Sequence, residues 1–353
     1  MKPDKTVTFE KIASIENLTR AHWNARRGKT YYKAVQEVDA NLNGMIEQLH
    51  ETLMSGQYRT SPYKTELIAD SGKERLVYKL PYYPDRIVHW AVMLQMEDVF
   101  TSRFDSCTHA AIAGRGIHTA LKQVRGYLLS DPDRTKYCLK LDVSKYFPHI
   151  NHNILKSMLR RIVADERLLA LHYEIIDSAP GVPIGNYLSQ YYANLYLTGF
   201  DAWLKSRNRH YTRYMDDMIV LGGSAAELHK LRREIEWYLE RNLRLSLKPN
   251  WQIFPVDKCG IDFVGYRIRR NCVILRKSIF RRLRSACLRL LRSARMFGDL
   301  TESERCTLAS YLGWIVHCTK KVRTDLFERY IAPVLSLLKT NKIIIKPLSE
   351  AKA

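Results

Sequence analysis

The stretch of sequence that decides the fold runs from position 211 to position 221 and reads Tyr-Thr-Arg-Tyr-Met-Asp-Asp-Met-Ile-Val-Leu. The segments Tyr211–Tyr214 and Met218–Leu221 are rich in aromatic and aliphatic residues, and this composition predicts two short strands. Met215, Asp216 and Asp217 lie between them, so the pattern predicts a hairpin with two carboxylates at its turn. A turn with a purely structural role seldom needs two charges between apolar strands. The pair therefore marks a candidate functional site.

A further carboxylate, Asp142, lies 74 residues before Asp216. Residues 137–143 read Tyr-Cys-Leu-Lys-Leu-Asp-Val, which predicts a buried strand with a carboxylate near its end. In two-metal phosphoryl transfer, two Mg²⁺ ions about 3.5–4 Å apart neutralise charge at the attacking and the leaving oxygen. Such ions need hard oxygen ligands on a rigid support, which a strand and a tight hairpin would supply. Paired aspartates are common in turns, so the pair alone is weak evidence for metal chemistry.

The composition indicates a polyanionic partner. The chain has 353 residues, enough for two or three packed subdomains, and 46% of them are hydrophobic. It carries 57 Lys and Arg against 36 Asp and Glu, a formal net charge of +21. Each phosphate that a cation neutralises releases counterions, so such an excess favours nucleic acid as a partner. A merely soluble basic surface is the alternative.

The sequence shows no feature of a membrane or secreted protein. No run of about 18 apolar residues is present, and the first residues lack the apolar core of a signal peptide. The seven cysteines form no Cys-x-x-Cys pair, which argues against a zinc ribbon or a disulfide framework. We therefore expect reduced thiols and a cytoplasmic protein.

Arginines dominate one long predicted helix. Between Phe263 and Gly298 there are eleven Arg or Lys and no acidic residue. Apolar residues recur there at helical spacing, so one face is apolar and the other almost purely basic. A solvated basic face is the alternative to a nucleic-acid groove, which the missing acids favour. The candidate contact residues are Arg281, Arg284, Arg289 and Arg292.

Hydrophobic periodicity predicts the remaining elements. The predicted helices are Phe9–Asn24, Tyr31–Met54, a helix within 84–104, His152–Ile162, a helix beyond Gly185, Ala225–Asn242 and a helical region from Ser278 onward. The predicted strands are Thr65–Ile68 and Arg75–Leu80 around a turn at 70–72, then Asp262–Ile268 and Val273–Leu275.

Five ordered motifs resemble those of reverse transcriptases. Tyr214–Asp217 resembles the catalytic box of that family, and Leu141–Phe147 resembles its first aspartate box. Gly181–Gln190 is similar to the turn that binds template and nucleotide. Leu245–Asn250 resembles the lysine segment behind the palm, and Phe263–Tyr266 resembles the hairpin between palm and thumb. The resemblance covers roughly residues 60–320.

The resemblance implies an α+β chain with the right-hand polymerase fold, in which the palm is an antiparallel sheet with packed helices. The implied subdomains are an N-terminal helical extension at 1–60, fingers at 61–135, a palm with fingers insertions at 136–268, and a helical thumb with the C-terminal tail at 269–353. The implied activity is RNA-directed DNA polymerisation by nucleotidyl transfer.

The resemblance also implies roles for single residues. Asp142 and Asp216 would bind two Mg²⁺ ions with help from the Val143 carbonyl, and Mn²⁺ would be able to substitute. Asp217 would lie beside the metals or the primer end. Lys248 would act as general acid toward pyrophosphate, although an exposed lysine without that role is the alternative.

The remaining implied residues contact the nucleotide. Lys73 and Arg75 would grip its triphosphate, and Ile184, Gly185 and Gln190 would belong to the nucleotide-binding turn. Phe147 occupies the aromatic position that blocks a ribose 2′-hydroxyl, with a buried core phenylalanine as the alternative.

The turn also points to a subgroup. Many relatives carry Gln-Gly at its start and Ser-Pro at its end, whereas this chain has Ile184-Gly185 and Ser189-Gln190. This pattern is similar to reverse transcriptases of diversity-generating retroelements, the bacterial and phage systems that copy a template RNA with frequent errors at adenines, so the resemblance implies a bacterial or phage-encoded protein. Tyr311–Trp314 also resembles that group. The resemblance implies dNTPs, template RNA and a cDNA/RNA hybrid as partners, together with a pentameric, basic accessory variability protein.

Three other interpretations stay open from the sequence. A group II intron maturase is the first, but these proteins usually extend into a splicing domain and often into a Cys/His endonuclease domain, and we find neither. A retron enzyme is the second, but it would usually show its own thumb motif, which we do not find. A catalytically silent RNA-binding scaffold need not keep three carboxylates in an otherwise basic cleft.

Overall fold

The computed structural model describes residues 3–70 and 73–338. The chain has α+β architecture and forms two compact units, each assembled from separate stretches of sequence. The first unit contains residues 1–114, 141–209 and 230–251, and the second contains 115–140, 210–229 and everything from 252 onward.

Helices and one hairpin form the N-terminal part of the first unit. The helices are α1 (Phe9–Ala13), α2 (Ile15–Ala25), α3 (Lys33–Ala40), α4 (Leu42–Met54) and α5 (Ile87–Thr101). The predicted helix Phe9–Asn24 is interrupted because the Ser14 hydroxyl caps α2 by accepting from the Asn17 N–H. The predicted helix Tyr31–Met54 is likewise divided at Asn41, whose φ of −135° and ψ of 51° are not helical.

The hairpin consists of β1 (Lys64–Asp70) and β2 (Lys73–Lys79), which pair antiparallel with Lys64 opposite Lys79. The predicted strands are confirmed here, each with shifted ends. The tip of the predicted turn, residues 71–72, lies outside the described residues.

Five further helices follow in the first unit. They are α7 (Tyr146–His149), α8 (His152–Arg160), α9 (Glu166–Asp177), α10 (Tyr187–Tyr196) and α11 (Thr198–Arg207). Side chains of α10 are buried along most of its length, and the Tyr196 hydroxyl donates to the Leu243 carbonyl at 2.6 Å. The segment that precedes α10 is thereby attached to a buried support.

A four-stranded sheet carries the predicted carboxylates. Its strands are β3 (Tyr137–Asp142), β4 (Tyr211–Tyr214), β5 (Asp217–Gly222) and β6 (Gln252–Pro255), in the order β4-β5-β3-β6. Strands β4 and β5 pair antiparallel, with Tyr214 opposite Asp217. The prediction that Asp217 belongs to the turn is wrong, because its backbone closes the ladder as the first residue of β5. Two helices accompany this sheet in sequence: α6 (Ile117–Ser130) precedes it and α12 (Ala225–Leu243) follows β5.

The rest of the second unit is a small sheet with a helical region. After α13 (Val256–Cys259) come β7 (Ile261–Phe263), β8 (Tyr266–Ile268) and β9 (Val273–Leu275), followed by α14 (Lys277–Phe297), α15 (Glu302–Ile315), α16 (Lys320–Leu326) and α17 (Ala332–Leu335). The predicted strand Asp262–Ile268 is two strands, because Val264 and Gly265 have positive φ and turn the chain. Side chains from both the sheet and the helices share one buried core, which includes Phe263, Tyr266, Leu283 and Leu308.

None of the helices in the described residues combines the length and apolarity needed to cross a bilayer.

Candidate active site

Asp142 ends strand β3 and is held against Lys248. The Asp142 carbonyl accepts from the Lys248 N–H at 2.8 Å, and its Oδ2 lies 2.5 Å from the Lys248 Nζ. Val143 and Leu247 form an antiparallel bridge between the same two segments. Main-chain pairing therefore fixes this ammonium group beside the carboxylate. The Lys248 side chain is 32% exposed and engaged, unlike a free surface lysine.

The second carboxylate oxygen of Asp142 provides a test for metal binding. Oδ1 is buried and accepts no hydrogen bond from the described residues. A buried acceptor without a partner costs about 1–3 kcal/mol, and more when it is charged. A hard cation would remove that penalty, since Mg²⁺ prefers carboxylate oxygen. The residues present thus fit a divalent ion.

No group of three or more His, Cys, Asp or Glu side chains within residues 3–70 and 73–338 could hold a metal by itself. Mg²⁺ usually takes only one or two carboxylates from the protein and fills its shell with water and substrate phosphates. A pair of aspartates matches that habit.

The hairpin β4–β5 presents Asp216 in a two-residue loop. Met215, the other loop residue, has a φ of 55°, which is uncommon for a residue with a side chain. Arg213 is fully buried, and its Nη1 donates to the Met215 carbonyl at 3.3 Å. Asp216 and Asp217 are both half-buried. A strained loop held by a buried guanidinium is typical of functional sites.

Lys140 is a functional candidate that the sequence interpretation missed. Its Nζ lies 3.7 Å from the Asp217 Oδ1 and donates to the Asp262 carbonyl at 2.5 Å. The Asp262 carboxylate in turn accepts from Arg276, with Nη2 at 2.5 Å and Nε at 2.6 Å. One series of polar contacts therefore joins the β4–β5 hairpin to β7 and to the start of α14. The available signal was its position two residues before Asp142, which places both side chains on one face of the strand.

The turn before α10 is built on close backbone contacts. The φ of Gly181 is +62°, and a Cβ there would lie 2.5 Å from the carbonyl oxygens of Phe147 and Pro148. The φ of Gly185 is +120°, and a Cβ there would lie 2.6 Å from the Tyr78 carbonyl oxygen. Glycine is required at both positions, because any side chain would meet main-chain atoms.

Main-chain contact also fixes Ile184. Its carbonyl accepts from the Tyr78 N–H of β2 at 2.9 Å, while its side chain is half-buried. Gly185 and Gln190 are exposed. The turn is thus tied to the β1–β2 hairpin through residue 184.

Phe147 lies in α7, next to this turn. Its carbonyl accepts from the Val182 N–H at 2.9 Å, and its ring packs edge-on to Tyr146 with ring centroids 5.6 Å apart. Phe147 is half-buried, whereas Tyr146 is 2% exposed. Of the two rings, Tyr146 fills the core and Phe147 keeps an accessible surface.

The remaining predicted residues lie in β2 and in α14. Lys73 and Arg75 pair with Asp70 and Ile68 along the β1–β2 ladder, and their side chains lie outside the described part of the chain. The four arginines of α14 are exposed, opposite its buried face. The buried face is formed by Leu283, Ala286, Cys287, Leu290 and Ala294.

A family profile described as "Reverse transcriptase (RNA-dependent DNA polymerase)" matches residues 62–268, more than half of the chain. The chain belongs to this family. As a reverse transcriptase it falls in the class of RNA-directed DNA polymerases, which are nucleotidyltransferases and use divalent metal ions.

Relatives of the chain include a group II intron-encoded protein. The chain is 25% identical over 280 residues to protein YkfC of Escherichia coli, a match that covers 66% of this chain and 74% of YkfC. It is 22% identical over 280 residues to the group II intron-encoded protein LtrA of Lactococcus lactis, covering 70% of this chain and 45% of LtrA. The reverse transcriptase thus spans less than half of LtrA.

Among solved structures, apo telomerase from Candida tropicalis is similar, with 13% identity and a TM-score of 0.50. The match covers 80% of this chain and 60% of that chain. This likeness concerns the fold alone and confirms the predicted α+β right-hand polymerase fold.

Proposed function

We propose that this reverse transcriptase copies a retroelement template RNA into cDNA by two-metal nucleotidyl transfer, with frequent errors at adenines. The polymerase part rests on the sheet, in which Asp142 ends β3, Asp217 begins the neighbouring strand β5, and Asp216 precedes β5 in the loop. The contact between Lys140 of β3 and Asp217 supports this arrangement, because it brings the end of β3 to the start of β5.

The carboxylates would hold two Mg²⁺ ions, or Mn²⁺ in their place. Asp142 and Asp216 are the proposed ligands, with the Val143 carbonyl assisting. When bound, the metals neutralise charge on the attacking 3′-oxygen and on the leaving pyrophosphate. Asp217 would support the site, since Lys140 already balances part of its charge.

Lys248 is the proposed general acid. Its Nζ, which lies 2.5 Å from Asp142 Oδ2, would protonate an oxygen of the departing pyrophosphate. The lysine would regain its proton from solvent. The bridge between Val143 and Leu247 keeps the main chain of Lys248 in place during this exchange.

Three segments would bind the nucleotide. Phe147, half-buried and next to the turn, would exclude a ribose 2′-hydroxyl. Gly185 and Gln190 are exposed and would face the base pair, and Lys73 and Arg75 would contact the triphosphate from β2.

The subgroup rests on Ile184. A glutamine at this position would offer the nucleotide a hydrogen bond, whereas isoleucine offers apolar contact only. One hydrogen bond contributes about 0.5–1.5 kcal/mol, or roughly a tenfold difference in discrimination. Losing it would narrow the margin between a correct and a mispaired nucleotide.

The basic face of α14 would hold the cDNA/RNA hybrid. Exposure and the absence of nearby acidic residues in the sequence favour phosphate as the partner of four arginines on this face. They are Arg281, Arg284, Arg289 and Arg292. In this proposal the extension is 1–60, the fingers are 61–135, the palm is 136–268 and the thumb is 269–353. A cytoplasmic location and a pentameric basic accessory protein complete it.

A group II intron-like reverse transcriptase is the second candidate. The observation in its favour is the similarity to LtrA over 280 residues. Such an enzyme would copy its template without a preference for errors at adenines, so the two candidates differ in a measurable product.

The first experiment tests the polymerase. Primer extension with Mg²⁺, dNTPs and an RNA template should be abolished by Asp216→Ala, while RNA affinity stays within about twofold. Loss of RNA affinity in this variant would show a structural role for Asp216 instead.

The second experiment tests the subgroup. Ile184→Gln should lower adenine misincorporation about tenfold on a defined RNA template, as read by sequencing the cDNA. Ile184→Leu, which keeps the apolar contact, is the matched control and should leave the error frequency unchanged. Equal error frequencies in all three proteins would contradict this role.

A further inference from the structure

We propose that a groove between α11 and α12 binds single-stranded RNA by stacking bases on tryptophan. The groove has a volume of about 480 Å³. It is lined by Trp203, Arg207, Lys230, Arg233, Glu234 and Trp237. None of these residues takes part in the candidate active site.

The groove has aromatic walls of different exposure. Trp237 is 60% exposed, so its ring is accessible to a ligand from solvent. The Trp203 ring packs against two other rings. Its centroid lies 5.8 Å from that of Phe200 and 4.5 Å from that of Tyr238, and this packing fixes its position. A prearranged ring lowers the entropic penalty of binding a flat ligand.

Cations surround these rings. The Arg207 guanidinium lies 4.3 Å from the Trp203 ring centroid, and its Nε is 3.4 Å from a carboxylate oxygen of Glu234. Lys230 and Arg233 are exposed and precede Trp237 by seven and four residues, so all three share one face of α12. The lining therefore carries three cations against one carboxylate.

This combination favours RNA over a protein. Every base has a π-face, so a ring beside a basic track binds single strands with little regard to sequence. Phosphates on either side of a stacked base would meet Arg207, Lys230 and Arg233. A basic accessory protein would be repelled by the same charges, and an apolar peptide would gain nothing from them. The volume lies within the ~300–1,000 Å³ common for ligand sites.

The groove would retain a flanking part of the template while the active site copies another part. Retention of this kind depends on affinity for RNA alone and not on nucleotidyl transfer. Its failure can therefore be distinguished from failure of the proposed function.

The test uses the full chain and a labelled ten-residue oligouridylate, without dNTPs. Excess unlabelled RNA–DNA hybrid occupies the polymerase cleft, and its paired bases cannot enter the groove. Fluorescence anisotropy then measures affinity. Trp237→Ala should weaken binding about tenfold, within the roughly 5- to 150-fold range for one stacked base.

Two more variants separate stacking from apolar contact. Trp237→Phe keeps a ring and should bind within about threefold of the wild type, whereas Trp237→Leu keeps only apolar surface and should bind like Trp237→Ala. Leu129→Ala removes a side chain of similar exposure, 53%, from α6 and should change nothing. Circular dichroism melting confirms that each variant is folded.

Crosslinking gives an independent measurement. An oligonucleotide with 4-thiouridine should form an adduct, on irradiation, with the peptide that contains Trp203 or Trp237. Wild-type affinity in Trp237→Ala would overturn the proposal. Wild-type affinity in Trp237→Leu would overturn stacking and assign the groove to an apolar partner.

Discussion

At the scale of single residues, the carboxylates of this reverse transcriptase are accompanied by lysines. Lys248 lies against Asp142 and Lys140 against Asp217, so charge that would otherwise repel is balanced within the protein. Lys140 also holds the Asp262 carbonyl and thereby the first strand of the small sheet. It is therefore a positioning residue.

Lys140→Met should slow primer extension about 10- to 100-fold, because small displacements of reacting groups have effects of that size. Lys140→Arg keeps the charge and should restore part of the rate. The measurement is single-turnover extension, combined with amide hydrogen exchange of β7, which should accelerate in Lys140→Met.

Lys136→Met is the matched control. Lys136 precedes β3, and its Nζ lies 3.1 Å from Oδ1 of the exposed Asp133. An exposed salt bridge contributes little, so this substitution should leave the extension rate and the hydrogen exchange of β7 unchanged. Equal loss of activity in both variants would show that Lys140 acts through general stability.

The sequence predicted Asp142, Asp216 and Asp217 because carboxylates stand out in apolar segments. It did not predict Lys140 or Arg213. Their roles depend on the carbonyl of Asp262, 122 residues away from Lys140, and on a buried environment around Arg213. The position of Lys140 two residues before Asp142 is the one local signal for either residue.

At the scale of elements, the turn before α10 depends on two glycines with positive φ. Gly181→Ala should destabilise the protein by about 2 kcal/mol or more, since backbone strain alone costs roughly 1–3 kcal/mol and the new Cβ would overlap two carbonyl oxygens. Thermal unfolding measures the effect, and primer extension should fall with it.

Gly126→Ala is the contrasting variant. Gly126 lies within α6, and a Cβ there would meet no atom within 4 Å. Alanine should stabilise this helix by about 0.5–1 kcal/mol. A similar loss of stability in both variants would contradict the argument from close contacts.

The helix α14 supports a prediction about salt. If its arginines contact phosphates, Arg284→Gln with Arg292→Gln should reduce the slope of log affinity against log salt by about 1.8, or 0.9 per contact. Filter binding of an RNA–DNA hybrid at several salt concentrations provides the slope.

Arg329→Gln is its control, because Arg329 pairs with Asp325 at 2.6 Å. An unchanged slope in the double variant of α14 would exclude these arginines from the nucleic-acid contact.

Elements with strong periodicity were predicted well, and their ends less well. The predicted ends of the helix Ala225–Leu243 and of strands β4 and β5 agree with the structure to within a few residues. The interruptions at Ser14 and Asn41 were missed, because the apolar spacing continues across a cap. Strand β6 was missed as well, since it gains its identity by pairing with β3.

At the scale of the whole molecule, buried histidines set a limit on acid stability. Burial lowers the pKa of His89 to about 4 and that of His172 to about 3, from an ordinary value of 6.5. Below 6.5 the unfolded chain therefore binds protons that the folded chain excludes. This contribution to stability is complete above pH 6.5 and is lost as the pH falls toward 4 and 3.

The free energy of unfolding should fall between pH 6.5 and 4 by about 1.4 kcal/mol per pH unit for each of these histidines. Urea titrations at several pH values measure the slope. His89→Phe should flatten it, whereas substitution of the exposed His149 by Gln should not. An equal slope in His89→Phe and the wild type would rule out this histidine as a cause.

The family and the fold class followed from the sequence, because motif order survives where overall identity is low. The division into two units did not, since residues 115–140 and 210–229 join the segment from 252 onward through contacts between distant parts of the chain. The subdomain boundaries predicted from the sequence remain a proposal.

The hydrogen bond between Tyr78 and Ile184 has a consequence for evolution. It uses only main-chain atoms, so any residue at position 184 preserves it. Mutation can therefore replace the side chain there without undoing the turn. On the role proposed for residue 184, one codon change would alter copying accuracy and leave folding almost untouched.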